Sequence, residues 1–170
     1  MKNVTNVLSN EHQTILKAVD AILTNCNKLE KSNELDKAYF ENAIDFIKNY
    51  ADKFHHAKEE DILFKTMLED QGGMHCNPIP VMLGEHDESR GYVAGMEAGL
   101  SQNNLAMVLE NARMYCDLLQ NHIYKEDNIL YPMAEEGLDD VQKEEILRKY
   151  KEAEAKYFVA DKLKEMLAKI

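Results

Sequence analysis

The sequence predicts an all-α protein, an antiparallel up-down four-helix bundle followed by an additional C-terminal helix. Three observations carry this expectation. Apolar residues recur at steps of three and four through five segments, and no period-two strand pattern appears. Only 7 Gly and 3 Pro occur in 170 residues, while Leu, Ala, Lys and Glu are abundant, which favours helix. The breaks between the first four segments are short, so successive helices run antiparallel. One domain is expected over residues 1–170, with the bundle at about 4–135 and the extra helix at about 139–170.

The first helix is expected from about Val4 to Glu30, with a seam at Leu8, Ile15, Val19, Ile22 and Leu29. A second, from about Leu35 to Asp70, runs through Phe40, Ala43, Ile47, Ala51, Phe54, Ile62, Leu63 and Met67. The third starts near Pro78, a favourable first-turn residue, and passes Ile79, Met82, Leu83 and Val93 towards Leu100. Ser101 is read as the start of the fourth, whose seam is Leu105, Val108, Ala112, Tyr115, Leu119, Ile129 and Met133. The fifth, about Asp139 to Ile170, has a softer stripe at Ile146, Tyr150, Ala153 and Tyr157. It is read as packing on the outside of the bundle or as a homodimer surface.

Several function classes fall away on composition. A net charge of −11 disfavours nucleic acid and anionic membranes as partners, since both need a basic face. No apolar run approaches the roughly 20 residues of a membrane span, and the N-terminus has no signal-peptide core. Cys26, Cys76 and Cys116 are odd in number and form no CxxC pair, which is the pattern of reduced thiols in a cytoplasmic protein.

The chemistry lies in residues that interrupt the seams. His12 stands between Leu8 and Ile15, and His55 and Glu59 between Ala51 and Ile62. His86 follows Leu83, and His122 and Glu126 stand between Leu119 and Ile129. A buried imidazole or carboxylate without a partner costs several kcal/mol. A single such residue would be a hydrogen-bonded core histidine. Six on four facing helices describe two metal ions bridged by carboxylates. His55–Glu59 and His122–Glu126 are both i, i+4 pairs, so each projects from one face of its helix. The chain also repeats internally. The segment from His55 to Phe64 aligns with that from His122 to Tyr131, and Asn-Glu-His at 10–12 echoes Gly-Glu-His at 84–86.

These motifs, FHHAKEEDILFKTM, NHIYKEDNILYPMAE and NPIPVMLGEHDESRG, resemble the signatures of the hemerythrin-like (HHE cation-binding) family over about residues 5–135. The resemblance implies a hemerythrin-type bundle with a non-haem di-iron site. His12 and His55 would serve one iron, His86 and His122 the other, and Glu59 and Glu126 would bridge. One departure stands out. The oxygen-carrying members have a further histidine one turn from the third-helix ligand, and here those positions are Met82 and Arg90. His56 and Glu60 are candidates to fill the gap, although both share a helix face with Asp52. Glu11 and Glu85 are placed to orient imidazoles, and Tyr115 to line a small-molecule pocket or the core. His75 falls in a Gly-rich loop and reads as exposed.

Imidazole with carboxylate and no thiolate suits two iron ions, with manganese or zinc as alternatives. The ferritin-like pattern requires Glu-x2-His, and no histidine here has Glu three residues before it. The expected function is binding of O2 or a related diatomic for sensing, carriage or scavenging. The alternative is a redox enzyme that reduces O2, peroxide or nitric oxide, or a donor of iron for cluster repair. Either redox role would need an external electron donor.

Overall fold

A computed structural model describes residues 3–69, 77–157 and 160–170, which form helices and no strand. Helix α1 spans Thr5–Ser32 and ends at Asn33, whose left-handed backbone (φ 54°) turns its N–H back to Leu29 O. Its start is held from outside, because the amides of Val4 and Thr5 donate to Glu135 Oε1 at 2.8 and 2.9 Å. A carboxylate there also meets the positive end of the helix dipole.

Helix α2 is a rod over 37–69, capped by Asp36, whose side chain accepts from Tyr39 N. It is α-helical over Lys37–Phe46 and Lys65–Glu69, but its middle is widened into π-helix over Ile47–His56 and Glu59–Phe64. Helix α3 covers Ile79–Ser101 behind Pro78. Helix α4 is a second rod, over 105–137, with one π segment at Glu126–Leu130 between α-helical Leu105–Lys125 and Tyr131–Gly137. The expected start of α4 at Ser101 shifts: Ser101 closes α3, Asn103 turns with φ 53°, and Asn104 caps α4 by accepting from Met107 N. Helices α3 and α4 approach closely at Gly99, where a Cβ would lie 2.7 Å from Val108 Cγ2 and 3.0 Å from Val108 N.

The C-terminal helix expected over about 139–170 is described in two helical segments, α5 (Asp140–Tyr157) and α6 (Ala160–Leu167), on either side of residues 158–159, which lie outside the described residues. Both pack on α2: α5 crosses its π-helical middle and α6 its first turns. Ile146 and Tyr150 of α5 and Met166 of α6 are buried there. Glu135 ties this layer to the bundle, since its carbonyl and carboxylate both hold Lys143 Nζ, at 2.6 and 3.2 Å.

Two apolar clusters fill the interior. One contains Ile15, Ala51, Phe54 and Leu119, and the other Leu8, Ile62, Met82 and Leu130. The layer between them is polar, and it is where the interrupting residues meet. Cys26 and Cys116 are buried free thiols, while His75, Cys76 and the Tyr157 side chain lie outside the described residues. Among the described residues, no helix is long and apolar enough to cross a membrane.

Candidate metal centre

Seven side chains converge in the polar layer, each 2% exposed or less: His12, His55, His56, Glu59, His86, His122 and Glu126. They fall into two groups of four whose potential ligand atoms lie within 4.8 Å of one another. One group is His12, His55, Glu59 and Glu126; the other is His56, His86, His122 and Glu59. Both carboxylates span the groups. Glu59 Oε1 lies 3.4 Å from His55 Nε2, and its Oε2 is 3.4 Å from His86 Nε2. Glu126 stands between His12 Nε2 and His122 Nε2, one oxygen 3.2 Å from each.

The widened turns place these groups. A π turn closes i→i+5 bonds and adds a residue to the local repeat, and such segments concentrate at functional sites. His55, His56, Glu59 and Glu126 all lie on them. The inserted residue lets consecutive His55 and His56 both face inward, where helical spacing put His56 on a surface face. The same shift moves the α4 seam by one place. Ile129, expected in the core beside the ligands, is 49% exposed, and Leu130 and Tyr131 are buried in its stead.

Each imidazole turns one nitrogen to the centre and the other to an outer carboxylate. His12 Nδ1 pairs with Asp127 at 3.0 Å, His55 with Glu11 at 2.9 Å, His86 with Glu60 at 2.7 Å and His122 with Glu85 at 2.9 Å. His56 Nδ1 has Asp52 Oδ1 at 3.4 Å. Such pairs fix ring orientation and tautomer in metal sites. Glu11 and Glu85 do orient imidazoles, but across helices: each precedes one histidine in sequence and holds another. Glu60 belongs to this outer ring and to neither group of four.

The outer carboxylates are held in turn by cations. Lys58 bonds Glu11 and Lys125 bonds Glu85, at matching positions of the repeat. Arg90 reaches Asp52 at 2.8 Å and Glu60 at 2.7 Å, joining the carboxylates behind His56 and His86. Met82 on the other side of His86 is core. The repeat is not symmetric in its surroundings. Lys58 is completely buried, 3.9 Å from the Phe54 ring centroid and beneath Tyr150 and Glu154 of α5, whereas the Lys125 side chain is 33% exposed.

The charge states follow from this packing. Burial pushes the His12 pKa down, but the Asp127 and Glu126 carboxylates outweigh it and raise the value to about 9. His86 also reaches about 9, with burial opposed by Glu59 and Glu60, and His122 about 10, with burial opposed by Glu126 and Glu85. Burial wins for His55, which falls well below its ordinary value. It wins for His56 too, at about 3, where the neighbouring His86 adds to the effect. Glu126 is held well below the carboxylate range: burial opposes its charge, and the His122 and His12 imidazoles outweigh it.

The donor set fits metal ions. Both oxygens of Glu126, Glu59 Oε2 and both nitrogens of His56 are buried without a well-directed hydrogen bond among the described residues. Buried polar atoms rarely stay unsatisfied, and a cation between the groups would satisfy them together. Five imidazoles and two carboxylates without thiolate are the ligand types of iron, manganese or zinc.

Two sequence signals gain their meaning only here. The His55-His56 doublet directly before the x2-Glu spacing allows both rings to serve, and His56 does join the inner groups. Tyr131, which the seam reading passed over, is the other: its phenol donates to Glu59 Oε1 at 2.5 Å and lies 3.3 Å from His12 Nε2. Its counterpart in the repeat is Phe64, so the alignment alone marks a hydroxyl that the first half lacks at this place.

A helical bundle with a buried His/Glu layer of this composition is a metal-binding protein of the all-α class. The family model of the hemerythrin HHE cation-binding domain matches residues 3–134, and the chain belongs to that family. No curated protein and no solved structure matches it.

Proposed function

We propose that this chain is a non-haem di-iron protein that binds O2 or a related diatomic at its His/Glu centre. His12 and His55 would hold one iron and His56, His86 and His122 the other, with Glu59 and Glu126 as the carboxylates available to both. The observation that carries this reading is the pair of buried groups sharing Glu59, with the imidazoles divided two and three. His56 supplies the fifth nitrogen that the third helix lacks, and this favours ligand binding over turnover at two open ions.

Two ferrous ions would supply electrons to a small ligand and Lewis acidity to hold it. The protein's own contribution is positional. Ile15, Ile62 and Leu8 shield the layer from bulk water. The outer carboxylates and their cations keep the imidazoles directed inward, and Tyr131 offers an O–H beside His12 and Glu59.

The test is anaerobic loading with ferrous iron followed by repeated cycles of O2 and inert gas. Two irons per chain and an absorption band that appears with O2 and vanishes on its removal are expected. Rapid one-way oxidation would replace the binding reading with a redox one. Metal content left unchanged by Glu59→Gln together with Glu126→Gln would overturn the site itself.

A further inference from the structure

A cavity of about 120 Å³ opens between α2 and α3, and the centre described above does not account for it. His56 and Tyr115 are buried among its lining residues. Ile47, Val93 and Ser89, also buried, line it too, and Lys48, Arg90 and Glu97 stand at its exposed end. Two ion pairs close that mouth: Lys48 with Glu97 and Arg90 with Asp52, both at 2.8 Å.

The inner end is polar and unsatisfied. Tyr115 is 1% exposed and its hydroxyl has no hydrogen-bond partner among the described residues; the His56 nitrogens likewise make no well-directed hydrogen bond. A buried hydroxyl without a partner is costly, so something with a lone pair belongs beside it. The space equals that of about four liquid waters, which admits a molecule of a few heavy atoms. The charges at the mouth are already paired with one another, so an ion gains little by entering, and Ile47 and Val93 give the interior an apolar wall.

We propose that this cavity is a binding pocket and access port for small uncharged molecules, in which the Tyr115 hydroxyl holds the guest beside His56. The pocket needs no metal to exist, while its role as a port rests on the di-iron reading. The His56 ring that lines the pocket is itself stacked on His86, with ring centroids 3.8 Å apart.

Two measurements separate the claims. Xenon binding to the metal-free protein, followed by 129Xe NMR, tests the pocket: saturable binding is expected in the native chain, and its loss in Val93→Phe. For the port, nitric oxide is mixed with the ferrous-loaded protein in stopped flow. Ala94→Trp, at the mouth, should slow association at least tenfold with two irons retained. Absence of xenon binding overturns the pocket, and unchanged association in both variants overturns the port. Failure to load two irons would instead defeat the di-iron reading and leave the xenon result standing. Tyr115→Phe should keep the fold and make nitric oxide leave the loaded protein several-fold faster; an unchanged escape rate removes the hydroxyl from the proposal.

Discussion

The phenol of Tyr131 donates a 2.5 Å hydrogen bond to Glu59 Oε1 and stacks on His12, while Phe64, at the matching place of the repeat, stacks on His86 with no hydroxyl to offer. A hydrogen bond to a buried carboxylate contributes about 1.5–3 kcal/mol. Tyr131→Phe should therefore destabilise the metal-free protein by about that amount. Metal bound to Glu59 takes over the lost partner, so the loss should shrink in the loaded protein. Denaturant unfolding of both forms measures the difference, and equal losses would show that the phenol does not serve Glu59.

Metal loading should release protons. In the metal-free protein His12, His86 and His122 have pKa values raised to about 9, 9 and 10, so all three are imidazolium at pH 7. Ligation requires neutral imidazole. Calorimetric titration with zinc in two buffers of different ionisation enthalpy should register release of up to three protons at pH 7, with apparent affinity rising towards pH 10. The raised values also fix the sign for folding. Their stabilisation of the metal-free protein is complete below the unfolded value of about 6.5 and is lost as pH rises through 9 to 10. No proton release at pH 7 would refute these charge states.

Lys58 and Lys125 occupy the same place in the two halves but should not be equally important. Lys58→Met leaves Glu11 buried without its cation, a loss of about 3–5 kcal/mol for a buried pair. Lys125 is partly in solvent, where such pairs contribute about 0–1 kcal/mol. Thermal unfolding of the two variants should differ clearly. Similar melting temperatures would mean that cover by α5 does not isolate Lys58 from water.

Gly99 is required by close approach of α3 to α4. Gly99→Ala sets a Cβ against the Val108 backbone and should cost about 1–3 kcal/mol. Gly91, in the same helix, has open space where an added methyl would stand, with nothing within 4 Å, and serves as the control. Gly91→Ala should stabilise by about 0.4–1 kcal/mol. Denaturant midpoints of the two variants check both signs.

The bundle and six of the seven inward residues were legible because polar side chains interrupt seams whose period is otherwise regular. His12, His55, Glu59, His86, His122 and Glu126 each break an apolar row, and burial makes that break expensive unless the groups meet. His56 could be named only as a candidate, and Leu130 not at all, for one shared reason. Steps of three and four assume uniform turns, and widened turns at Ile47–His56 and Glu126–Leu130 move side chains onto faces that the count assigns elsewhere. The crosswise pairing of Glu11 with His55 and Glu85 with His122 was equally hidden, since it depends on helix juxtaposition rather than on spacing.

The wide turn at the His55-His56 doublet also changes how a change in nitrogen count can arise. A helical wheel drawn at 100° per residue is the wrong ruler for such a stretch, and comparing third helices alone would rank this centre one imidazole short. Here a neighbouring helix brings His56 into the buried layer by a local change of pitch, with no histidine added beside His86.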